Sequence, residues 1–311
     1  MPGKLLELTK DLVFQELFGK QKNKDITSHL LSLILEREIT NIDLDINKRM
    51  LGNSENSKTG RLDIRAKFND GEDCNIELQI SPYKFMSSRM LEYWSIMYSN
   101  KITSGNDYDI LKPTISILIA DYNLEELKEI PKYHTIWNLR EKRYSDIILT
   151  KNIEMHVLEI PKIKNIEILN DELIYWLKFI ENPGNKEVLN IMEENKYLKQ
   201  AKEELAYLSG DPDFKRLVES RAGFLMDMAC YKRQIEKEAT EKGLKEGMKK
   251  GMEKGMEKGM EKGMEKGIEK GIEKGIAENK IETAKKMKKE NIDIGIIERV
   301  TGLTQEEIEN L

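Results

Sequence analysis

The sequence predicts an α/β domain, with a mixed sheet flanked by helices, followed by an all-helical extension and a long helical tail. Three observations lead to this prediction. Over the first half of the chain, short apolar runs that alternate with polar residues are interspersed with helical patterns. Apolar residues then recur at helical spacing alone, and a glycine-rich repeat follows toward the C-terminus.

Composition limits the classes of protein to which the chain can belong. Its 311 residues suffice for one sizeable domain with appendages, and the 39% of hydrophobic residues suffices for a packed core. The net charge of −5 excludes a uniformly basic coat but leaves room for a local basic groove. Two cysteines are too few for a disulfide framework, and no run is apolar enough to span a bilayer. We therefore expect a cytoplasmic protein with no membrane partner.

The first half of the chain shows helix and strand patterns in turn. The spacing predicts helices at 12–18 and 26–36, a half-buried strand at 42–46 and a polar loop at 52–60. The turn Asp70-Gly71 separates two alternating runs, which is the pattern of a β-hairpin. Later segments predict a helix at 84–102, a buried strand at 113–120, and further strands at 135–139 and 153–160.

The second half is helical by its periodicity. Breaks at Pro183-Gly184 and at 210–212 divide it into separate helices. Thr304 and Glu307 form a capping-box pattern before the final helix, whose acidic sequence favours helical packing over contact with DNA. The patterns divide the chain into four parts: a mixed domain at 1–165, a helical extension at 166–240, a glycine repeat at 241–280 and a C-terminal helical hairpin at 281–311.

The repeat places a glycine at every fourth residue from Gly243 to Gly275, mostly in the form Gly-Met-Glu-Lys or Gly-Ile-Glu-Lys. An α-helix has 3.6 residues per turn, so an apolar column of this period drifts by about 40° per repeat and favours a right-handed supercoil if such helices pair. Two interpretations remain open. The segment is either a solvated low-complexity spacer or a self-associating helix with close glycine contacts, and the second predicts a homo-oligomer.

The predicted hairpin carries the residues suited to chemistry. Glu77 and Gln79 are two residues apart on one strand and therefore share a face. On the other strand, Asp63 lies between two apolar residues and projects opposite them. Mg²⁺ and Mn²⁺ prefer oxygen ligands, so Asp63, Glu77 and the backbone carbonyl of Leu78 are candidate metal ligands.

An aspartate followed by a hairpin and a Glu-x-Lys motif is the core of the PD-(D/E)xK nucleases, and this hairpin resembles it. The ordered series DLVFQELFG, GRLDIRA, NIELQ, RMLEYWSIMYS and LKPTISI resembles the recombination-promoting nuclease group, whose members are often labelled PD-(D/E)xK nuclease family transposases. The resemblance covers about residues 8–165. It implies a restriction-endonuclease-like sheet and metal-dependent hydrolysis of DNA, with links to recombination or mobile elements.

Carried onto this sequence, the resemblance implies that Asp63 and Glu77 bind Mg²⁺ or Mn²⁺ and that Gln79 completes the catalytic set. Gln79 stands where the motif has lysine, and Leu62 stands where it has proline. Glutamine orients a group by hydrogen bonding but supplies no positive charge. The alternative is therefore a catalytically inactive nucleic-acid-binding or oligomeric assembly protein derived from the nuclease fold.

Other residues are expected to border the site. Arg89 and Tyr93 are four apart on the next predicted helix and are candidate DNA contacts, although a surface pair would show the same spacing. Asp11 is a candidate additional metal ligand, with Glu16 as a competitor or a plain helix N-cap as the alternative.

A simpler alternative applies to the carboxylates of the hairpin as well. Asp63 and Glu77 would then face solvent and pair with Arg61 or Arg65.

Overall fold

A computed structural model describes residues 4–46, 49–50, 60–61, 63–102, 107–164, 166, 171–192 and 194–311. The chain forms two compact units, residues 1–225 and 226–311. Apart from Gly60, the loop predicted at 52–60 lies outside the described residues. The division into four parts that the sequence suggests stays a prediction.

The strands all lie in the first unit. They are β1 (Ile42–Ile46), β2 (Arg49–Met50), β3 (Gly60–Arg61), β4 (Ile64–Phe68), β5 (Asp73–Gln79), β6 (Thr114–Ala120), β7 (His134–Arg140) and β8 (Ile148–Glu159). The helices of this unit are α1 (Asp11–Phe18), α2 (Lys24–Ile34), α3 (Met86–Ser99), α4 (Glu172–Glu181), α5 (Lys186–Ile191) and α6 (Lys196–Gly210). The long helix α7 (Pro212–Lys289) begins here and continues into the second unit, where α8 (Ile294–Thr301) and α9 (Gln305–Glu309) follow.

The main sheet has six strands in the order β1-β4-β5-β6-β8-β7, and β2 pairs with β3 separately. Strands β5, β6 and β8 run parallel, whereas the pairs β1–β4, β4–β5 and β7–β8 are antiparallel. The predicted hairpin is confirmed as β4–β5, and its turn contains Gly71 at a φ of +88°, which a glycine adopts without strain. The mixed sheet with flanking helices confirms the predicted fold class.

Packing differs between the two faces of the sheet. The larger core lies on the face covered by α1, α2 and α4, where Phe14, Phe18 and Trp176 are fully buried with Ile76 of β5. On the other face α3 packs through Met86 and Met90 against β6. Because β5 is covered on both faces, each of its residues from Asp73 to Leu78 is buried, including the polar ones.

The predicted elements agree with the observed ones apart from their ends. The first two helices and the first strand lie where the periodicity places them, and helices end at Glu181 and Gly210 beside the predicted breaks. The predicted helix at 84–102 is shorter, since α3 spans Met86–Ser99. Strand β8 is longer than predicted and begins at Ile148, because its first half pairs with β7 rather than with the centre of the sheet.

The second unit consists of the rest of α7 with α8 and α9. A small core of Ala284, Ile297 and Ile308 holds its C-terminal helices together. The predicted capping box is confirmed, with Thr304 and Glu307 each accepting a backbone N–H of the other. Among the described residues, no helix is both long and apolar enough to cross a bilayer.

Gly19 is held in a close contact at the end of α1. A Cβ atom at this position would lie 2.0 Å from Cγ2 of Ile46 and 2.7 Å from the carbonyl oxygen of Gln15. We expect Gly19→Ala to lower the free energy of unfolding by about 1–3 kcal/mol, because the core has no room for the methyl group. Denaturant unfolding measures this change.

Gly223 in α7 provides the matched control, since a Cβ atom there would meet nothing within 4 Å. Gly223→Ala should leave stability unchanged or raise it by up to about 1 kcal/mol, because alanine is the better helix former. Equal effects of the two substitutions would show that the contact at Gly19 is not tight.

Candidate active site

A cavity of about 580 Å³ opens beside the carboxyl end of β5. Four segments of the first unit line it: the start of α1, the residue before β4, the end of β5 with the following loop, and one side of α3. The first turns of α7 close it from a further side, through residues 218–225. The cavity therefore gathers residues from both ends of the unit around the predicted hairpin.

Asp63 lies immediately before β4 rather than within it, and two donors fix its carboxylate. The side-chain amide of Gln15 donates to Oδ1 at 3.1 Å, and the backbone N–H of Leu78 donates to Oδ2 at 3.2 Å. Burial raises the pKa of Asp63, while these two hydrogen bonds act in the opposite direction. The carboxylate is thus held in one orientation at the cavity wall.

Glu77 lies on β5 with only 3% of its surface exposed. Neither of its carboxylate oxygens has a hydrogen-bond partner among the described residues, and the nearest cation is the guanidinium of Arg89, 3.7 Å from Oε2. Burial raises the pKa of Glu77 to about 8, Arg89 opposes this shift, and the charge of Asp63 adds to it. Glu77 is therefore a buried acid without the bonds that normally stabilise a buried carboxylate.

The alternative in which Glu77 faces solvent and pairs with an arginine of the hairpin is wrong. Arg65 instead binds Asp73, with its guanidinium 2.9 Å from Oδ2, at the far end of the strand. The side chain of Arg61 lies outside the described residues. The hairpin pattern alone does not show whether its polar face is in water or under a helix. In the structure α3 covers this face and buries Glu77.

Gln79 ends β5 and is half-buried at the cavity. It pairs in register with Ala120, as Glu77 pairs with Leu118, so both side chains lie on the α3 face of the sheet. Leu78 donates its N–H to Asp63, and the C=O of a strand residue points to the same edge as its N–H. The Leu78 carbonyl therefore faces the Asp63 side of β5.

Arg89 and Tyr93 contact each other on α3 as their spacing predicts. The Nε–H group of Arg89 donates to the Tyr93 hydroxyl at 3.1 Å. Arg89 is half-buried and lines the cavity, whereas Tyr93 is buried behind it and does not. The surface-pair interpretation is therefore wrong, since Tyr93 braces Arg89 from within the protein.

Asp11 is the first residue of α1 and not its N-cap, a position that Lys10 occupies without a side-chain bond. Oδ2 of Asp11 accepts a hydrogen bond from Nε of Arg221 on α7 at 3.0 Å. Glu16, the competing carboxylate, lies 3.4 Å from Lys20 instead. Asp11 lines the cavity, and its charge raises the pKa of Asp63.

Gln15 and Arg221 belong to the site but were not found from the sequence. Gln15 is buried among the apolar residues of α1, and a polar residue on the apolar face of a helix is a signal that points to a buried partner. Arg221 offers no comparable signal, because it is one of many charged residues in a polar helix. Its contact with Asp11 depends on how α7 packs against α1.

A mixed sheet between helices, with an acidic pair at the open end of a hairpin, is the arrangement of restriction-endonuclease-like nucleases. The chain belongs to the family described as PD-(D/E)XK nuclease family transposase, whose family model matches residues 8–235. This match confirms the resemblance and extends it through α4, α5 and α6 into α7. The family is one of nucleases, which are hydrolases acting on nucleic acids. No curated protein and no solved structure matches the chain significantly.

Among the described residues, no three His, Cys, Asp or Glu side chains form a group suited to a metal ion. The prediction of a metal site at Asp63 and Glu77 therefore depends on donors besides these two carboxylates. The candidates that the sequence offers, Leu78 with its backbone carbonyl and Asp11 with its carboxylate, both line the cavity.

The raised pKa of Glu77 makes stability depend on pH in the metal-free protein. Its pKa rises from an ordinary 4.5 to about 8, so between these values the folded chain keeps a proton that the unfolded chain releases. Stability should therefore fall as pH rises through this range, by at most about 1.4 kcal/mol per pH unit. Glu77→Gln removes the titrating group, and its free energy of unfolding with a chelator present should show a flatter pH profile.

Glu129→Gln serves as the control, because Glu129 is exposed. Its profile should follow that of the wild type from pH 5 to about 8. If Glu77→Gln keeps the full slope as well, the buried carboxylate is not the group that titrates.

Proposed function

We propose that the protein is a metal-dependent DNA endonuclease that hydrolyses phosphodiester bonds in the cavity beside Asp63 and Glu77. The observation that carries the proposal is the buried Glu77 carboxylate, whose oxygens lack hydrogen-bond partners, next to an Asp63 carboxylate held by two donors. Burial of a carboxylate without partners is costly for stability. Such arrangements concentrate at functional sites.

Mg²⁺ or Mn²⁺ is the cofactor in this proposal. The available donors are all oxygen atoms, which is the ligand set that these hard cations prefer. Asp63, Glu77 and the Leu78 carbonyl would hold the ion, with Asp11 as an additional ligand. When bound, the ion lowers the pKa of a coordinated water and neutralises charge that develops on the phosphate.

The side chains around the acidic pair have separate roles in the proposed reaction. Gln79 orients the attacking water through its amide, which both donates and accepts hydrogen bonds. Arg89 supplies the positive charge that a lysine at position 79 would otherwise bring, because its guanidinium lines the same cavity. Tyr93 keeps Arg89 in place through the hydrogen bond between its hydroxyl and Nε. Gln15 holds Asp63 in the orientation that the ion requires.

DNA binding in this proposal depends on cationic side chains that the fold gathers at the cavity. The cavity is lined by Lys10, Arg89 and Arg221 against the carboxylates Asp11 and Asp63, whereas the whole chain carries a net charge of −5. Arg221 is engaged with Asp11, and both face the cavity. We infer that a DNA phosphate competes for Arg221, which leaves Asp11 free to face the ion.

The setting of the reaction is part of the proposal. The family description, which refers to transposases, supports a role in recombination or in mobile elements. A cytoplasmic location is supported by the two free cysteines, Cys74 and Cys230. We further propose that the protein is a homo-oligomer through its repeat, as the second interpretation of that segment predicts.

Loss of the Asp63 carboxylate should strongly slow cleavage. We expect Asp63→Asn to reduce plasmid nicking with Mg²⁺ or Mn²⁺ on the order of 100-fold, because it removes a metal ligand and keeps the shape of the side chain. Asp43→Asn, at an exposed position on β1, is the matched control and should nick as the wild type does.

Two results of the nicking assay would contradict the proposal. Equal rates for Asp63→Asn and the wild type would remove this site from the reaction. A wild type that binds DNA but does not nick it with either ion would favour the inactive binding protein, for which Gln79 in place of lysine is the supporting feature.

Arg221 should contribute to DNA affinity. We expect Arg221→Gln to weaken binding of a DNA duplex and to reduce the slope of log K against log salt by about 0.9, the value for one phosphate contact. Fluorescence anisotropy with Ca²⁺ in place of Mg²⁺ measures both quantities. Arg216→Gln is the control, since Arg216 is exposed and paired with Asp213. Identical curves for the two variants would exclude Arg221 as a phosphate contact.

A further inference from the structure

The repeat in α7 exposes a continuous apolar column. The column consists of side chains that are between 54% and 77% exposed, namely Leu244, Met248, Met252, Met256, Met260, Met264, Ile268, Ile272 and Ile276. Large apolar side chains in water are common singly, but an uninterrupted row of them marks an interaction surface. Residues 226–311 are all described, and within this unit nothing covers the row.

The glycines of the repeat are not required by any packing contact or backbone conformation within the chain. A Cβ atom at any glycine from Gly243 to Gly275 would meet nothing within 4 Å, and none of these glycines has a positive φ. Each costs about 1 kcal/mol of helix stability relative to alanine. A physical use of glycine on a helix surface is to let another backbone approach closely.

The order of the four columns around the helix defines the surface. Successive residues are about 100° apart, so the columns follow one another as glycine, Met/Ile, glutamate and lysine. Glycine and Met/Ile are neighbours and form one sector. Lysine borders this sector on the glycine side, and glutamate borders it on the Met/Ile side. The surface is therefore asymmetric in size and in charge.

We propose that this surface binds the same segment of a second copy of the chain, with the two helices parallel. In a parallel pair the opposite flanks of the two helices meet, so each lysine column faces the glutamate column of the other copy. The glycine edge of one sector also faces the Met/Ile edge of the other, and the large side chains fill the space above the glycines. Charge and size are thus complementary at the same time.

An antiparallel pair would be complementary neither in charge nor in side-chain size. There, like flanks meet, so lysine faces lysine and glutamate faces glutamate. Large side chains also face each other, and the glycines face glycines across an unfilled gap. Like charges in juxtaposition are unfavourable across an interface, and an unfilled gap loses packing energy.

The charge columns are unfavourable within a single helix. Glu257 and Glu261 are four residues apart, as are Lys258 and Lys262, and like charges at this spacing repel. A parallel partner places an opposite column beside each of these rows. Within one helix, pairs such as Lys258 and Glu261, three residues apart, offset part of this repulsion. A parallel partner adds further attraction along both columns.

The four-residue period also defines how the helices cross. The Met/Ile and glycine columns run along the i±4 ridges, and packing two such ridges together gives a crossing angle near −50°. This is the right-handed sense expected for a repeat longer than 3.6 residues. The pair is consequently a right-handed crossing, unlike the left-handed coil of heptad sequences.

This inference rests on the homo-oligomer proposed above and adds its orientation and contact surface, whereas it does not depend on the proposed nuclease activity. Sedimentation of the full chain without DNA gives the mass of the assembly. Distances between spin labels show whether the two α7 helices run parallel or antiparallel. In a Cys230→Ser background, where the buried Cys74 does not react, labels are attached through Glu241→Cys or Glu278→Cys at exposed positions. The two sites lie about 55 Å apart along the helix, at 1.5 Å per residue.

We expect a dimer in which the distances 241 to 241 and 278 to 278 between copies are both well below the length of this segment. A monomer at all concentrations would overturn the proposal in favour of a solvated spacer. Distances near the full segment length for both like pairs would overturn it in favour of antiparallel pairing.

A glycine variant separates pairing from helix stability. Replacing Gly255, Gly259 and Gly263 together by glutamine should strengthen the isolated helix, since glutamine is the better helix former, and should block the close approach. We expect the dimer dissociation constant to rise at least tenfold while helix content is kept or increased, as circular dichroism measures. Gly223→Gln, outside the repeat and with open space around it, is the control and should dimerise as the wild type does. Unchanged dimerisation of the triple variant would exclude the glycine surface.

Discussion

The arrangement of the site depends on the burial of one carboxylate, that of Glu77, between β5 of the sheet and α3. Along the α3 face of β5, alternate residues form a polar row of Asp73, Asn75 and Glu77, all buried because the sheet is covered on both sides. At one end of the row, Arg65 lies within ion-pair distance of Asp73 and compensates its charge. At the other end, Glu77 has Arg89 at 3.7 Å and no hydrogen bond among the described residues. The row therefore has a paired carboxylate at its Asp73 end and one without a hydrogen bond at its Glu77 end, next to Leu78 and Gln79, which line the cavity.

Asp63 and the cationic residues of the cavity complete the surroundings of Glu77. The hairpin places Asp63 beside Glu77, and two neutral donors, an amide and a backbone N–H, orient Asp63 without cancelling its charge. Without a metal ion Glu77 keeps its proton up to about pH 8. In the proposed reaction a hard cation takes the place of that proton and binds the carboxylate oxygens that lack hydrogen-bond partners. The cationic residues of the cavity wall come from other elements, with Arg89 on α3 and Arg221 on α7. In the proposed function these cationic groups contact the DNA phosphate, although the chain as a whole is acidic.

The two units illustrate different uses of apolar surface. In the first unit, aromatic and aliphatic residues of the helices are buried against the sheet, and this core holds the β4–β5 hairpin in a fixed geometry. In the second unit, the apolar column of α7 stays exposed, and the glycines beside it make no contact within the chain. The family match ends at residue 235, before the repeat begins, so the site and the repeat are separable in sequence as well as in structure.

Short-range patterns in the sequence determined much of the fold and, at the site, the residues of the hairpin. The Asp-Gly turn and the alternation around it predicted the β4–β5 hairpin, and residue spacing placed Glu77 and Gln79 on one face, because the two-residue period of a strand is a local property. Helix breaks and the capping box at Thr304 were predictable for the same reason. The order of columns in the repeat likewise follows from helix geometry alone.

Only the tertiary structure decided which of the polar side chains at the site are buried and which partners they bind. The two-residue period of a strand predicts the face to which a side chain points. The packing of α3 then decided that this face is buried and that Tyr93 contacts Arg89 from the buried side. The contacts of Asp63 with Gln15 and of Asp11 with Arg221 join residues far apart in the chain. No local spacing encodes such contacts, because they arise when separate elements pack around a common core.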